Sequence, residues 1–533
     1  MALPTIQVRV AFASDPYDAA PVWTDITHDV QNISIKRGRQ TELNRMEAGT
    51  ARIQLKNFQG NYWPNNAAGL YYPNILPGKK VNIRAYVELL GYDGVGGFST
   101  PAVDWIRGAQ ITPHSTCKLT SFFVYVGLVG AVAPLLKGAL YDSAYNLVAL
   151  TNEIVPTNGW MELTFASEQT LDSGKDYWFA VWADAGAGDV RVYYRNVGGL
   201  ASQFLAYGAF PDPLAPAVTN HELSLYANVY DLFTGFAEGW PPHWMSQMGG
   251  QGPLTTINCA DLIKNLSNFD LNTVGYAEEL SGTRVGNVLD DMGWPAGFRD
   301  IDVGISSMQA SGAIADVKAM THLFVVQDSE LGILYITGDG DVKFEDRHHR
   351  LASPHTVSQA VFGDDVGEHY YHGLELEYDD ELIFNDIRIT RVGGAQQTAG
   401  DAASVTAYGA RTYSKTGLLV TTDNEALSMA DYKLKLYKDP VLMARTLTIL
   451  GERDPGRLWP KLCGYEISTR ITLRLNEASI DEDYFIEGIR HVIDIQNQKW
   501  STTWQLSNAS QQVYWLLEVA GFSELELTTY PSY

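Results

Sequence analysis

His369 and His372, in Glu368-His369-Tyr370-Tyr371-His372, stand three residues apart, a spacing that serves a metal only if the segment is helical. Their aromatic neighbours and Gly367 assign the segment to strand or loop, where that spacing loses its meaning. Asp346-Arg347-His348-His349-Arg350 joins two imidazoles to a carboxylate, but adjacent side chains on a strand point to opposite faces and do not share one ion. Asp339-Gly340-Asp341 lacks the twelve-residue calcium loop with its closing Glu, and a turn explains it. No H-E-x-x-H, G-x-S-x-G or G-x-x-x-x-G-K-[ST] occurs, so peptidase, esterase and nucleotide-hydrolase chemistry have no motif behind them. Carboxylate pairs such as Asp290-Asp291 and Asp364-Asp365 are too common among 62 acidic residues to single one out. A glycosidase needs two carboxyls about 5–10 Å apart across a cleft, which spacing along the chain does not establish. The expectation is no catalytic residue, no cofactor and no metal ligand set.

The residues better suited to binding are Trp160, Trp178 and Trp182. An indole offers a broad apolar face that complements the C–H face of a pyranose, so outward-facing tryptophans would stack on sugar rings. In Tyr177-Trp178-Phe179-Ala180-Val181-Trp182, alternation puts Tyr177, Phe179 and Val181 on one face of a strand and Trp178 and Trp182 on the other. One face must be core. Packing of the indoles between two sheets is the commoner fate and is the alternative to glycan binding.

These tryptophans sit among short strands at Lys118–Val126, Lys137–Asp142, Met161–Phe165, Tyr177–Trp182 and Val190–Tyr194, separated by turn residues, a rhythm that predicts a β-sandwich. Gly91-Tyr92-Asp93-Gly94-Val95-Gly96-Gly97 marks its exit, lacking the spacing and the following helix of a nucleotide-binding loop. Phe210-Pro211-Asp212-Pro213-Leu214-Ala215-Pro216 reads as a stiff return linker, and Trp240, Trp244 and Pro241-Pro242 as a loop brace. With 11% aromatic and only 19% charged residues in 533, the chain predicts about three or four β-rich, loop-rich domains. The net charge of −24 argues against a main surface that embraces nucleic acid. That acidity suits solubility first, and second a conduit wall along which DNA slides. Cys117, Cys259 and Cys463 lack metal spacing and read as free buried thiols. The opening residues show no signal peptide, and the apolar run Phe122 to Leu140 is broken by glycine and proline, so no membrane insertion is expected.

The first strands flank a polar segment. Ile33 and Ile35 alternate with Ser34 and Lys36, and Ala51, Ile53 and Leu55 with Arg52, Gln54 and Lys56. Farther on, Cys259–Leu266 and Gly282–Gly293 carry helical spacing, with Asp261 at the start of the first and Gly293 at the end of the second. A third helix is expected from Ala313 to Val326, and a hairpin around Gly338-Asp339-Gly340-Asp341. Strands return at Leu374–Tyr378, Phe384–Val392, Thr446–Leu450, Ile467–Leu475, Tyr484–Asp494 and Trp500–Ser507, with a helix from Asn424 to Tyr437 between them.

Arg37-Gly38-Arg39, Glu42-x-x-Arg45, Ala48-Gly49-Thr50-Ala51 and Leu55-Lys56-Asn57, followed by Asn61-Tyr62-Trp63-Pro64-Asn65-Asn66, resemble the N-terminal domain of siphophage minor tail proteins of the tail-tip or baseplate-hub family. Leu76–Arg84 and Leu232–Phe236 resemble that domain's next and closing strands, here about 140 residues apart, as if a domain were inserted into a hairpin. Arg299–Gly304, Glu330-Leu331-Gly332, Phe384–Arg391, Phe485–His491 and Trp500–Leu506 keep the family's order. The inserted segment resembles, on strand rhythm and aromatics, the jelly-roll carbohydrate-binding-like modules appended to phage tail proteins.

The resemblance implies a mainly β fold with α+β: a split N-terminal β-barrel hub domain at 1–92 plus 226–258 and an inserted β-sandwich at 93–225. An α+β domain follows at 259–350, a second tube-type barrel at 351–510, and a docking or disordered tail at 511–533. It implies a structural virion protein at the distal end of a long tail, made in the host cytoplasm. The expected partners are two further copies in a homotrimer, the tail tube or distal tail protein, other tip proteins, a host-surface glycan at the insertion, and DNA only in transit through the lumen. The alternatives are a carbohydrate-active enzyme and a glycan-binding receptor-recognition protein.

Overall fold

A computed structural model describes residues 3–18, 21–92, 96–113, 117–129, 135–172, 174–184, 189–196, 200–219, 222–223, 225–243, 253–378, 380–509, 514–515 and 530–531. The expectations for Trp244, for the Cys117 side chain, for Asp93–Val95 of the exit turn and for most of the 511–533 tail lie outside the described residues. The fold is mainly β. It forms two compact units: Met1–Gln7, Arg84–Asp231 and Asp454–Gly464 make one, and Val8–Ile83, Leu232–Arg453 and Tyr465–Tyr533 the other.

The first unit is built on two antiparallel sheets. In one, the Cys117–Val129 strand pairs with Gly159–Leu171 on one edge and with Asp189–Arg195 on the other. In the second, the order is Leu147–Ile154, Leu136–Asp142, Tyr177–Ala183, Trp105–Ile111, Leu200–Phe204 and Ala217–Thr219. Phe122, Val124, Leu163 and Phe165 of the first sheet meet Leu140, Phe179 and Val181 of the second in a dry core. Alternation thus places Tyr177, Phe179 and Val181 inward, as their spacing predicts.

In the second unit the Val30–Gly38 strand is the hinge of a long curled sheet. One edge pairs with Glu47–Lys56, which pairs in turn with Leu254–Ala260. The other edge pairs antiparallel with Ile480–Asp494, and the sheet continues through Lys499–Asn508, Met443–Leu450 and Gly373–Glu377. Beside it, the helices Leu262–Asn268, Ser281–Asp291 and Ala319–Glu330 pack on the Ile333–Ile336 and Val342–Glu345 hairpin through Leu266, Val285, Val288, Leu323, Val326 and Phe344.

Two elements differ from expectation. Ile314–Lys318 is a strand paired with Asp270–Thr273, and the helix starts only at Ala319. Asp316 sits at φ 58°, which a helix does not accept, and the available strand edge outcompetes helical periodicity. The Phe384–Arg391 element does not join the curled sheet. Its Asp386–Arg391 strand pairs with Gln397–Gly400 and Thr412–Leu418 and is covered by the Asp423–Tyr437 helix, giving a small α+β lobe with its own core of Ile387, Ile389, Val420, Ala426 and Met429.

Candidate functional site

Arg37-Gly38-Arg39 ends the Val30–Gly38 strand, and each residue has a separate task. Gly38 has φ +90°, and a Cβ there would lie 2.3 Å from the Glu487 carbonyl oxygen. Gly488 faces it in register, and a Cβ on Gly488 would lie 2.6 Å from the Arg39 carbonyl oxygen. Two glycines therefore let the two backbones close to contact. Arg37 sends its guanidinium to Glu466 in a fork, Nη1 donating to Oε2 at 2.8 Å and Nη2 to Oε1 at 2.6 Å.

Arg39 points to Glu487, which is fully buried. The Glu487 carboxylate accepts from Arg39 Nε at 2.6 Å, Arg350 Nη1 at 2.6 Å and the Ser507 hydroxyl at 2.7 Å. Burial pushes its pKa up, but Arg350 and Arg39 outweigh burial and hold it at about 2. Arg350 Nε also donates to the Ser468 hydroxyl at 3.1 Å, and that hydroxyl donates to Glu345. One carboxylate from the 480–494 strand thus ties an arginine of the first hairpin loop to an arginine that follows the α+β core. Arg347 extends the pattern, pairing at 3.0 Å with buried Glu330, which accepts from the Ser281 hydroxyl at 2.6 Å.

Ala48-Gly49-Thr50 has a comparable explanation. Gly49 N–H donates to Asp261 Oδ2 at 2.7 Å, and a Cβ on Gly49 would lie 2.6 Å from that oxygen. Asp261 Oδ1 accepts from Ile263 N–H at 2.9 Å and caps the Leu262–Asn268 helix, the place its position in the sequence assigns. Burial pushes the Asp261 pKa up to about 7 against the two backbone donors.

The curled sheet has a wetted face that runs unbroken across the Val30–Gly38 and Ile480–Asp494 pairing. It carries Ser34, Lys36, Thr50, Arg52, Arg490, Thr503 and Thr448, with Thr448 and Thr503 hydroxyls 3.0 Å apart. Exposed Lys36, Arg52, Arg490 and Lys499 stand on these strands, and Lys36 pairs with Glu47 at 2.7 Å. Glu47, Glu375 and Asp494 stand on strands of the same sheet, so the face carries both signs of charge.

The three candidate tryptophans are not brought together. Trp178 and Trp182 do face away from the inter-sheet core, but the Phe210–Pro216 segment folds over them, and Trp182 is fully buried against Tyr207 and Phe210 with ring centroids at 5.4 and 5.3 Å. The return linker is thus a second small core, because apolar Phe210 and Leu214 cover an apolar sheet face. As placed, neither indole presents a face to a sugar. Trp160 is half-buried on the outer face of the other sheet and stands edge-on to Tyr125 at 5.3 Å, which stands edge-on to Tyr193 at 5.2 Å. Tyr125 and Tyr193 escaped the sequence reading because neighbouring strands, not neighbouring residues, align them.

His369 is buried with its ring 5.3 Å from Phe362, and His349 Nδ1 lies 2.7 Å from Asp302 Oδ2. Among the described residues no group of three or more His, Cys, Asp or Glu is arranged to hold a metal ion. Cys259 and Cys463 are free and buried, and Trp240 braces its loop by donating to the Leu76 carbonyl at 3.1 Å. No described helix is long and apolar enough to cross a membrane.

No protein-family model and no curated protein sequence matches this chain. Among solved structures, a tail protein from Neisseria meningitidis MC58 aligns with a TM-score of 0.40 at 11% identity over 73% of this chain and 98% of its own. The 43 kDa tail protein of prophage MuSo2 from Shewanella oneidensis aligns with a TM-score of 0.42 at 11% identity, over 94% and 98%. Prophage tail protein gp18 from Listeria monocytogenes EGD-e aligns with a TM-score of 0.32 at 9% identity, over 71% and 96%.

Proposed function

We propose that this chain is a structural subunit at the distal end of a long phage tail, a hub that joins the tail tube to the tip. The observation that carries the reading is the edge-to-edge pairing of Val30–Gly38 with Ile480–Asp494, which makes one sheet from hairpins of the first and last parts of the chain. Two curled wall segments per chain, repeated in three copies, give a pseudo-sixfold ring that matches a sixfold tube to a threefold tip. The resemblance of Arg37-Gly38-Arg39 and the motifs behind it to tail-hub proteins supports the same reading.

In this ring the wetted face with Ser34, Thr50, Thr448 and Thr503 lines the lumen. Hydroxyls offer weak, exchangeable hydrogen bonds and a few separated cations offer weak attraction, so DNA passes without lodging. The role is mechanical and needs no catalytic group. Immuno-gold electron microscopy of the source particle with an antibody to this chain tests it. Label at the tail's distal end is the expected result. Label on the capsid, or in the lysate with none on particles, would overturn the proposal and turn attention to a carbohydrate-active enzyme.

A second reading concerns the sandwich. The Trp160, Tyr125 and Tyr193 row crosses three adjacent strands and is half-exposed, which suits stacking on a host-surface glycan. A glycan array with the intact chain and Trp160→Ala tests this. Signal that the variant retains would sink it.

A further inference from the structure

A cavity of about 120 Å³ opens between the loop after Gly38, the end of the Ala319–Glu330 helix and the Asp423–Tyr437 helix. Six Arg and Lys side chains line it against three Asp and Glu, in a chain whose net charge is −24. Five of these cations already have carboxylate partners: Arg39 and Arg350 on Glu487, Arg347 on Glu330, and Arg45 and Lys415 on Asp328 at 3.1 and 2.6 Å. Two donors are left over. Arg350 is buried, its guanidinium lies over the Phe485 ring at 4.5 Å, and its Nη2 has no hydrogen-bond partner. Lys433 makes no hydrogen bond or ion pair among the described residues; its ammonium lies 5.2 and 5.9 Å from the rings of Tyr413 and Tyr437 and feels Asp328 only at a distance.

From this arrangement we infer that the cavity is a binding site for a small tetrahedral oxyanion, phosphate or sulfate, held by Arg350 Nη2 and the Lys433 ammonium with Arg45 and Lys415 at the opening. The space suits the size: on this measure a single water needs only about 10–15 Å³, so a small tetrahedral anion fits together with waters. The physics suits the charge, because buried unpartnered donors are costly and an oxyanion satisfies several at once. Burial lowers the Lys433 pKa to about 8, with Lys415 and Arg39 adding to the effect and Asp328 and Glu42 opposing it. Glu42 shares the wall, burial raises its pKa, and its Oε2 pairs with Arg445 Nη1 at 3.8 Å, so its charge is already answered from outside the cavity lining. An anion here adds counter-charge beside the Arg39, Glu487 and Arg350 junction and so tightens it.

The test uses the full chain at constant ionic strength, titrated with sodium phosphate against sodium chloride, followed by thermal unfolding and by ³¹P line broadening. A saturable rise in melting temperature with phosphate alone, and broadening of the phosphate signal, are expected. In Lys433→Met, which keeps the side-chain volume, phosphate affinity falls about tenfold or more. A 5′-phosphorylated oligonucleotide separates the sources: tighter binding of free phosphate assigns the site to the free anion, and tighter binding of the oligonucleotide assigns it to a nucleic-acid terminus and overturns the proposal. Equal responses to phosphate and chloride, or phosphate binding unchanged in Lys433→Met, overturn the proposal. The wild-type ³¹P measurement decides it even if the variant does not fold.

Discussion

Arg39 and Glu487 lie 448 residues apart in the chain and meet through a 2.6 Å hydrogen bond from Nε to Oε2 in a dry site. The same carboxylate accepts from Arg350 at 2.6 Å, so one negative charge serves two buried cations. Such a charge is expensive to desolvate and tolerable only when all its partners are present.

Glu487→Gln therefore leaves two guanidiniums facing a neutral amide. The expected cost is about 3–5 kcal/mol in chemical denaturation, the range for breaking a buried ion pair from one side. A loss below about 1 kcal/mol would show that the junction is not the clasp described above.

Gly38→Ala puts a methyl group into the Glu487 carbonyl and a side chain at φ +90°. Hydrogen exchange should report it locally: faster exchange for amides 488–494 of the paired strand, with those of the Tyr177–Ala183 strand unchanged. Unaltered protection at 488–494 would mean that the two strands do not need the glycine contact.

His491 is buried, and burial first, then Arg37, lowers its pKa to about 3 from 6.5. Its Nδ1 accepts from Trp500 Nε1 at 3.3 Å and lies 3.0 Å from the Thr502 hydroxyl. The unfolded chain takes up this proton at higher pH than the folded one. The neutral ring's contribution is thus complete above about pH 6.5 and is lost as pH falls toward about 3. Relative to His491→Gln, the wild type should lose about 2 kcal/mol more between pH 7 and pH 5. Parallel stability curves for the two proteins would contradict this.

Trp182→Ala removes a fully buried indole beneath the Phe210 segment and should cost about 3–5 kcal/mol, read as a lower melting transition. Trp160→Ala, at the half-exposed row, should change stability by about 1 kcal/mol or less, so its effect on glycan binding is readable in a folded protein. Comparable losses in both would mean that Trp160 is a packing residue.

Much of this architecture was open to reading along the chain because its causes are local. Period-2 alternation fixes which faces of Val30–Gly38 and Glu47–Lys56 are buried and which side chains of Tyr177–Ala183 share a face, and Asp261 caps a helix because a carboxylate near a helix start has donors to accept from. The tertiary structure decided what no local rule reaches. Whether Trp178 and Trp182 are exposed depends on a segment about thirty residues away that folds over them, and whether Ile314–Lys318 is strand or helix depends on an available edge at Asp270–Thr273. Arg37-Gly38-Arg39 is legible as a motif, but its purpose is set by Glu466, Glu487 and Gly488, over 400 residues away. Backbone periodicity acts between residues a few positions apart, whereas burial, ion pairing and close backbone approach act through space, and only folding brings their partners together.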